Sequence, residues 1–545
     1  MPTLSVKKNE LLNLLKKEYT DDELEKIVFD YGLELDDITE ESGETIYKFD
    51  IPANRYDLLC IYGLADALRC YLNNYVFKDI KLDLCANVVS KDAVPSRPVL
   101  ACAIIRGFDS SMITHFIDYQ EKLHHTIGRN RALLAIGTHD ADKIKFPVHY
   151  SEMEPRNINF IPLNGVKKIN GTELFDYFQN DIKIRRYLKL LGSRENLYPV
   201  VSDQVGILSV PPIINSDRSK ITQETKNIFI EVTGTDLHRV NTALKLILYN
   251  FRTPNMYSIN IQGGLNTPIF HNRKFHLTVD EVNKELGLNL TGDQISNNLV
   301  RMMHSVKLNE NDLDIQTPDI RADVINKCDL IEDIAISFGY NNFIRSQPNI
   351  YTCGREDDLN CFSDKVRTGC AMAGYSEIVS LTLVSKNENI GESIEITNPK
   401  SIECEALRAS LIPGLLKSLN ANQQYPMPIK IFEVSDVVIL KNMVGVNQRN
   451  LAACYAGKNS GLEEVQGVLS YILYNSGITD FTYEEKDDKW FFSGRGAVLK
   501  IDGVVAGKLG VIDPIWCNHF KIPFSCSIFE VNLEILFSYF KKNIR

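Results

Sequence analysis

Residues 321–333 read RADVINKCDLIED and place four acidic side chains, Asp323, Asp329, Glu332 and Asp333, within eleven positions at the front of an apolar helical pattern. Leu330, Ile331, Ile334, Ala335 and Phe338 recur at i, i+1, i+4, i+5 and i+8, which predicts an amphipathic helix stopped by Gly339, with Asp323 near its start. On that helix Asp329, Glu332 and Asp333 share one face. Carboxylates one turn apart repel each other by roughly a few tenths of a kcal/mol per pair, so the spacing asks for a positive neighbour. Mg²⁺, which prefers oxygen ligands, and a basic partner both answer it. An acidic first turn that complements the helix dipole and is simply solvated accounts for the same letters.

A second stretch has the same frame at one constant offset. PANRYDLLCIYGLAD, from Pro52 to Asp66, matches PDIRADVINKCDLIED, from Pro318 to Asp333: Pro52 aligns with Pro318, Arg55 with Arg321, Asp57 with Asp323 and Asp66 with Glu332. Upstream lie TDDELEKIVFDY (20–31) and TGDQISNNLVRMM (291–303), each opening on a Thr with Glu or Gln three positions on, the signature of a capping box. Each copy therefore reads as helix, strand, Pro-x-x-Arg-x-Asp turn and helix. The first copy has Gly63 and Ala67 where the second has Asp329 and Asp333, so the acidic cluster is an addition to a frame that exists without it.

With 545 residues, 44% of them hydrophobic and 24% charged, the chain has room for three or four globular domains. A net charge of -10 argues against nucleic-acid binding through a uniformly basic surface, although Lys183, Arg185 and Arg186 form one local basic run. Twelve Cys are scattered with no CxxC pair, which suits reduced core thiols better than zinc. No stretch of 18 apolar residues is free of charge, and the N-terminus lacks an apolar leader core, so a cytoplasmic protein that does not engage a membrane is expected.

The pattern divides the chain into four blocks, a multidomain α+β protein. These are a helix-turn unit over 1–85, an α+β block over 90–262, a second helix-turn unit over 268–345, and a final block over 350–545 whose alternation suggests an antiparallel sheet. SQPNIYTCGRED (346–357) links the last two, and EIVSLTLV (377–384) is among the strands expected of the final block.

Seven segments resemble, in order, the β subunits of phenylalanyl-tRNA synthetases of archaeal and eukaryotic cytosolic type. They are FDIPANRYDLLCIYGLADAL (49–68), EKLHHTIGRNRALLAIGTHD (121–140), SVPPIIN (209–215), FIEVTGTD (229–236), TPDIRADVINKCDLIEDIAISFGYNN (317–342), ITNPKSIECEALRASLIPGLLKSLNAN (396–422) and IFEVSDVVI (431–439). The resemblance implies a tRNA-editing domain over 90–262 and a final domain like a class II synthetase catalytic domain without an active site. It also implies Mg²⁺ on Asp323, Asp329, Glu332 and Asp333. An α subunit in an α2β2 heterotetramer would bind ATP and phenylalanine and charge tRNA(Phe). The sequence agrees on activation: Arg408 in ALRASLIPGLL and Arg495 in SGRGAVLK do not sit in the strand contexts that hold ATP in a class II site, so no amino-acid activation by this chain alone is expected.

A pocket shaped for phenylalanine cannot strongly reject tyrosine by size, because an added hydroxyl costs only a few kcal/mol there, so correction needs a second site with an acceptor for that hydroxyl. Glu231 is the candidate acceptor. Glu231 and Thr233 alternate with Val232 and should share one face of a strand that runs into a Thr-Gly-Thr turn, where Asp236 caps the next helix. Ser209 and His139 are further candidates. Water held by Thr233, Ser209 and backbone amides is the expected nucleophile, in preference to a Ser209, His139 and Asp236 triad. A structural, tRNA-docking subunit with a degenerate pocket is the competing reading. A metal-dependent hydrolase at the acidic cluster is disfavoured, since no His joins the carboxylates in sequence.

Overall fold

Thr20 closes a reciprocal cap with Glu23, its hydroxyl accepting from the Glu23 amide at 3.3 Å and its amide donating to Oε2 at 3.0 Å, and so starts one of the first helices. The N-terminal segment runs β1 (Thr3–Lys7), α1 (Lys8–Leu15), α2 (Asp21–Tyr31), β2 (Glu34–Glu41), β3 (Glu44–Asp50), a 3-10 turn over Tyr56–Leu59 and α3 (Ile61–Tyr71). The sheet order is β1-β3-β2. The computed structural model describes residues 2–544 apart from 42, 193–195, 263, 272, 346 and 348–351. It separates into two units, Met1–Gln347 and Pro348–Arg545. The link read over 346–357 lies partly outside the described residues.

The middle of the first unit is built on one mixed sheet. Its elements are β4 (Asp83–Lys91), β5 (Val99–Arg106), α4 (Ile113–His125), β6 (Leu134–Asp140), β7 (Val148–Met153), the short pair β8 (Asn159–Phe160) and β9 (Ile169–Asn170), α5 (Leu174–Tyr177) and α6 (Ile182–Leu188). Then come β10 (Tyr198–Ser202), β11 (Ile207–Val210), β12 (Ile214–Asn215), β13 (Asn227–Gly234), α7 (Leu237–Asn250), β14 (Asn255–Ile261) and β15 (Asn266–Thr267). The strand order β12-β11-β10-β7-β4-β14-β5-β13-β6 curls until its two ends meet, where Asn215 of β12 donates to the Thr138 carbonyl of β6 at 3.2 Å. Alternation along β13 sends Ile228, Ile230 and Val232 into a core shared with α4, α7 and the N-terminal helices. Phe229, Glu231 and Thr233 face the other way, into the curl.

The second copy repeats the first: β16 (Arg273–Thr278), α8 (Val279–Leu286), α9 (Gly292–Arg301), β17 (Ser305–Asn309), β18 (Asp312–Thr317) and α10 (Lys327–Phe338), with sheet order β16-β18-β17. Each copy thus opens with a strand and a helix that the expected helix-strand-turn-helix frame lacked. Those opening strands alternate between buried and exposed over only five or six residues, too short for a periodic signal. The aligned Arg-x-Asp pairs form matching forks. Arg55 donates through Nε and Nη2 to Asp57 at 3.0 and 2.9 Å, and Arg321 likewise to Asp323 at 3.0 and 2.7 Å.

The second unit contains α11 (Asp358–Met372), β19 (Ser376–Glu377), β20 (Leu383–Val384), β21 (Ala406–Leu407), α12 (Ile412–Ala421), β22 (Ile429–Lys441), β23 (Val444–Gly457) and α13 (Leu462–Asn475). It ends with β24 (Thr482–Glu485), β25 (Phe491–Ile501), β26 (Val504–Ile512), α14 (Pro514–His519), β27 (Ser525–Asn532) and α15 (Leu533–Ile544). Its sheet, β19-β22-β23-β27-β26-β25-β24, is antiparallel apart from the β19–β22 edge. Asp502 and Gly503, both at positive φ, form the two-residue turn between β25 and β26. EIVSLTLV is not one strand: the Ser380 amide and hydroxyl both donate to the Glu433 carboxylate, which interrupts backbone pairing between β19 and β20.

Arg321 is fully buried, and replacing it with Met strands Asp323 and Asp333 without their cation. The expected loss is about 3–5 kcal/mol, read from urea unfolding at pH 7. Opposing burial, Arg321 holds both carboxyls below the usual aspartate value. Their contribution is therefore present above the unfolded aspartate pKa of about 3.9 and is lost as pH falls through the folded value, so the gap between wild type and variant narrows below about pH 4.

Candidate functional site

Glu231 is the only carboxylate on β13, and strand register sets it opposite Gly137 of β6 and Cys102 of β5. Gly137 is required there, since a Cβ would lie 2.1 Å from Glu231 Oε1. The curl of the sheet brings β11 across, so that Ser209 Oγ donates to Glu231 Oε1 at 2.6 Å. Glu231 Oε2 is buried without a partner, and so is His139 Nε2, which lies 3.9 Å from Glu231 Oε1 while Nδ1 pairs with Ser219 Oγ at 2.8 Å. Glu231 forms part of the wall of a cavity of about 730 Å³, together with Gln120, Thr138, Tyr187, Pro212 and Asn215.

The structure brings Glu231, Ser209 and His139 together, with Ser209 and His139 behind the carboxylate. Thr233 is placed differently from its expected role as a water holder. Its hydroxyl accepts from Arg97 Nε at 3.4 Å and its carbonyl from Arg97 Nη2 at 2.9 Å, and it is absent from the cavity wall. Asp236 caps α7 by accepting from the Arg239 amide at 3.0 Å, so Ser209, His139 and Asp236 form no triad.

Three residues that sequence reasoning passed over, His124, Glu121 and Arg131, form one network beside the cavity, and Glu121 and Arg131 line its wall. His124 accepts from the Ile136 amide through Nε2 at 2.8 Å, and Nδ1 meets Glu121 Oε1 at 3.1 Å. Burial and the Arg131 charge push His124 down to about 4. Against burial, His124 and Arg131 hold Glu121 down at about 2. Arg129, Asn130 and Arg131 are consecutive residues at positive φ, costly for side chains with a Cβ. The turn they make carries Arg131 to Glu121 at 2.7 Å, to the Ile213 carbonyl at 3.0 Å and onto the Tyr187 ring. The Gly-Arg-Asn-Arg run of polar turn formers was the available signal for this corner.

The acidic cluster is arranged otherwise than its spacing suggested. Helix α10 starts at Lys327, which leaves Asp323 in the turn ahead of it, and the three later carboxylates, at i, i+3 and i+4 on one face, turn to different surroundings. Asp333 points inward to Arg321 at 2.9 Å and to His304 Nε2 at 2.6 Å, Asp329 accepts from the Ile325 and Asn326 amides at 2.6 and 2.7 Å, and Glu332 is exposed. The positive neighbour is Arg321. His304, 29 positions before Asp333, is the imidazole that the local sequence did not show. Oxygen donors suit Mg²⁺, but among the described residues no three His, Cys, Asp or Glu side chains converge to hold a metal. All twelve Cys are free thiols, eight of them buried and Cys328, Cys353, Cys361 and Cys404 more accessible.

Four family models match in order: the Phe-tRNA synthetase beta subunit B1 domain over residues 1–74, the B3/4 domain over 85–253, the tRNA synthetase B5 domain over 275–340 and the phenylalanyl tRNA synthetase beta chain CLM domain over 346–533. The chain is 46% identical over 99% of its length and 99% of its counterpart to a probable phenylalanine–tRNA ligase beta subunit of Encephalitozoon cuniculi. It is 35% identical to the phenylalanine–tRNA ligase beta subunit of Mus musculus, over 98% of this chain and all of that one. The chain belongs to the phenylalanine–tRNA ligase beta-subunit family. It is thus a subunit of an aminoacyl-tRNA synthetase, a ligase of protein biosynthesis. An N-terminal fragment of the Pyrococcus horikoshii phenylalanyl-tRNA synthetase beta subunit superposes with a TM-score of 0.58 at 30% identity, covering 62% of this chain and 99% of the fragment. Among the described residues no helix is long and apolar enough to cross a membrane.

His124 and His304 are both buried and held below the ordinary histidine value, so each must charge against its environment in acid. The stability of their neutral forms is complete above the unfolded value of about 6.5 and drains away as pH falls toward about 4 for His124. Urea midpoints should drop between pH 7 and 4.5, and His124→Gln should flatten that dependence by up to about 3 kcal/mol.

Proposed function

We propose that the cavity beside Glu231 hydrolyses tyrosine wrongly esterified to tRNA(Phe). The observation that supports it is the unpartnered buried oxygen of Glu231, a carboxylate on the cavity wall. A buried acceptor left open costs about 1–3 kcal/mol, and a phenol hydroxyl fills the vacancy where a phenyl ring does not. Ser209 is spent as a donor to Glu231, and neither Ser209 nor His139 lies on the cavity wall, so neither is placed to act there as a nucleophile or its base. Attack falls to a water in the cavity, held among polar wall groups such as Thr138 and Asn215, with no covalent intermediate.

Charging itself belongs to a partner α subunit that binds ATP and phenylalanine, in an α2β2 heterotetramer in the cytoplasm. The second unit of this chain supports that division. Arg408 is buried against Glu433 at 2.8 Å and the Asp436 carbonyl at 3.0 Å, which leaves it no freedom to meet a phosphate, and Gly494-Arg495-Gly496 occupies a register shift at the start of β25. Mg²⁺ is structural in this reading. Asp329 and Glu332 are the accessible carboxylates and would hold it with water completing its shell, since Mg²⁺ commonly takes only one or two carboxylates. Asp323 and Asp333 stand behind them, committed to Arg321.

In the assembled ligase, Glu231→Ala should leave phenylalanine charging within about twofold and slow deacylation of tyrosyl-tRNA(Phe) by about tenfold to a hundredfold. Gly137→Ala should act in the same direction, because its Cβ takes the place of the carboxylate. Undiminished tyrosine removal by Glu231→Ala would take Glu231 out of the site. A wild-type complex that never hydrolyses the ester would leave the chain a structural, tRNA-docking subunit.

A further inference from the structure

His276 stands on the open face of the second copy's sheet, beside two aspartates of the neighbouring strand. The register of β16 on β18 sets His276 directly opposite Asp314, and Asp312, two residues along the same strand, falls on the same face. All three side chains are exposed. The imidazole Nδ1 lies 3.2 Å from Asp314 Oδ1, and Nε2 lies 3.4 Å from Asp312 Oδ1. Asp314 is held on its other side as well, its Oδ2 accepting from Asn309 Nδ2 at 3.3 Å, so both of its oxygens are taken. Asp312 is different: among the described residues its carboxylate meets no side chain except His276.

This arrangement poses an electrostatic problem. An ionised aspartate only accepts hydrogen bonds, so the bond to Asp314 places the imidazole proton on Nδ1 and leaves a lone pair on Nε2. That lone pair then lies beside the anionic oxygen of Asp312, and two acceptors so close repel unless a cation sits between them. A proton answers the demand, and so does a metal ion. Two donors held tetrahedrally at about 2.0–2.1 Å from one zinc ion stand about 3.3 Å apart, and the 3.4 Å between Nε2 and Asp312 Oδ1 matches that span. A metal-bound imidazole commonly gives its other N–H to a carboxylate, which fixes the tautomer and the plane of the ring. Asp314 stands in that position. Next to the group the sheet face is hollowed into a cavity of about 420 Å³ lined by Asp314, Gln316, Lys274 and Lys307, which leaves room for water to complete a coordination shell.

We propose that His276 and Asp312 bind a zinc ion on the open face of β16 and β18, with Asp314 as the positioning carboxylate and water in the remaining coordination positions. The site is independent of the hydrolytic reading above and shares no residue with the acidic turn over 323–333. Its donors differ in kind from those of that turn: Mg²⁺ takes oxygen, whereas an imidazole nitrogen selects a borderline transition metal. Only two side chains ligate, in keeping with the absence, among the described residues, of any three His, Cys, Asp or Glu that converge. Bound there, the ion joins β16 to β18 and stabilises the folded second copy by mass action.

The test uses the assembled ligase at pH 8, where protons are scarce, with excess Mg²⁺ present and the accessible thiols of Cys328, Cys353, Cys361 and Cys404 alkylated so that they do not compete for zinc. Zn²⁺ is titrated in competition with a chromophoric chelator. Wild type should take up one equivalent more than His276→Gln or Asp312→Asn, and Asp314→Asn should keep that equivalent with about tenfold to a hundredfold weaker affinity. Because the three positions are exposed, urea midpoints measured with EDTA should be the same for all four proteins, and saturating Zn²⁺ should raise the midpoint of wild type but not that of His276→Gln. Equal uptake by wild type and His276→Gln would mean adventitious zinc and overturns the proposal. So does the absence of uptake by wild type, and so does an unchanged affinity in Asp312→Asn or in Asp314→Asn.

Discussion

A guanidinium cannot be taken out of water without matched acceptors, because desolvating a charge costs several kcal/mol that only well-placed partners recover. Arg55 and Arg321 meet that demand in the same way, each with the aspartate two residues on, and they meet it together: Arg55 Nε lies 4.0 Å from Asp323 Oδ1, so each fork stands in the other's field. Arg301 on α9 adds a tie between the copies, donating to the Tyr71 carbonyl at the end of α3 and to the Ser337 carbonyl of α10. The two copies are thereby fixed to each other, and they are tied to α7 by Lys245 with Asp319 at 3.1 Å and to the segment just after it by Arg252 with Asp66 at 2.6 Å. Helix α7 packs on β13, whose opposite face holds Glu231. Charges buried far from the cavity thus set the place of the carboxylate within it.

The copies diverge where packing requires it. At Gly63 a Cβ would fall 2.0 Å from the Asp57 carbonyl and 2.5 Å from Asn250 Oδ1, because α7 crosses there. The aligned position in the second copy, Asp329, has no such neighbour and turns back to cap its own helix. At Ala67 the side chain is fully buried, and Arg55 finds the Tyr31 hydroxyl at 2.8 Å where Arg321 finds Asp333. The missing carboxylates of the first copy therefore follow from what covers it. They do not by themselves show that the acids of the second copy were added for a ligand.

What the letters disclosed was local. The capping boxes at Thr20 and Thr291, the Gly339 stop, the strand over 227–234 and the Asp236 cap all depend on residues within a few positions of one another, and each formed as read. What they withheld was long-range. Ser209 reaches Glu231 because the sheet curls, His304 reaches Asp333 because α9 and α10 pack together, and Thr233 is claimed by Arg97 from 136 positions away. The strand read over 377–384 failed for the same reason: Glu433, distant in sequence, takes the Ser380 amide.

Two buried carboxylates illustrate how closure separates structure from chemistry. Glu433 is closed by Arg408 and by the Ser380 amide and hydroxyl, so both of its oxygens have donors inside the protein and nothing is left for a ligand. Glu231 has a single donor, Ser209, and Arg97, whose charge it feels, directs its hydrogen bonds to Thr233 and to the Arg131 and Ala132 carbonyls instead. A buried carboxylate with one unfilled acceptor is destabilising in the empty protein, by about the 1–3 kcal/mol of an unmet hydrogen bond. That same deficit becomes discrimination when a ligand can fill it. In the second unit a buried carboxylate is closed by its own protein; in the first, one acceptor of a buried carboxylate stays open.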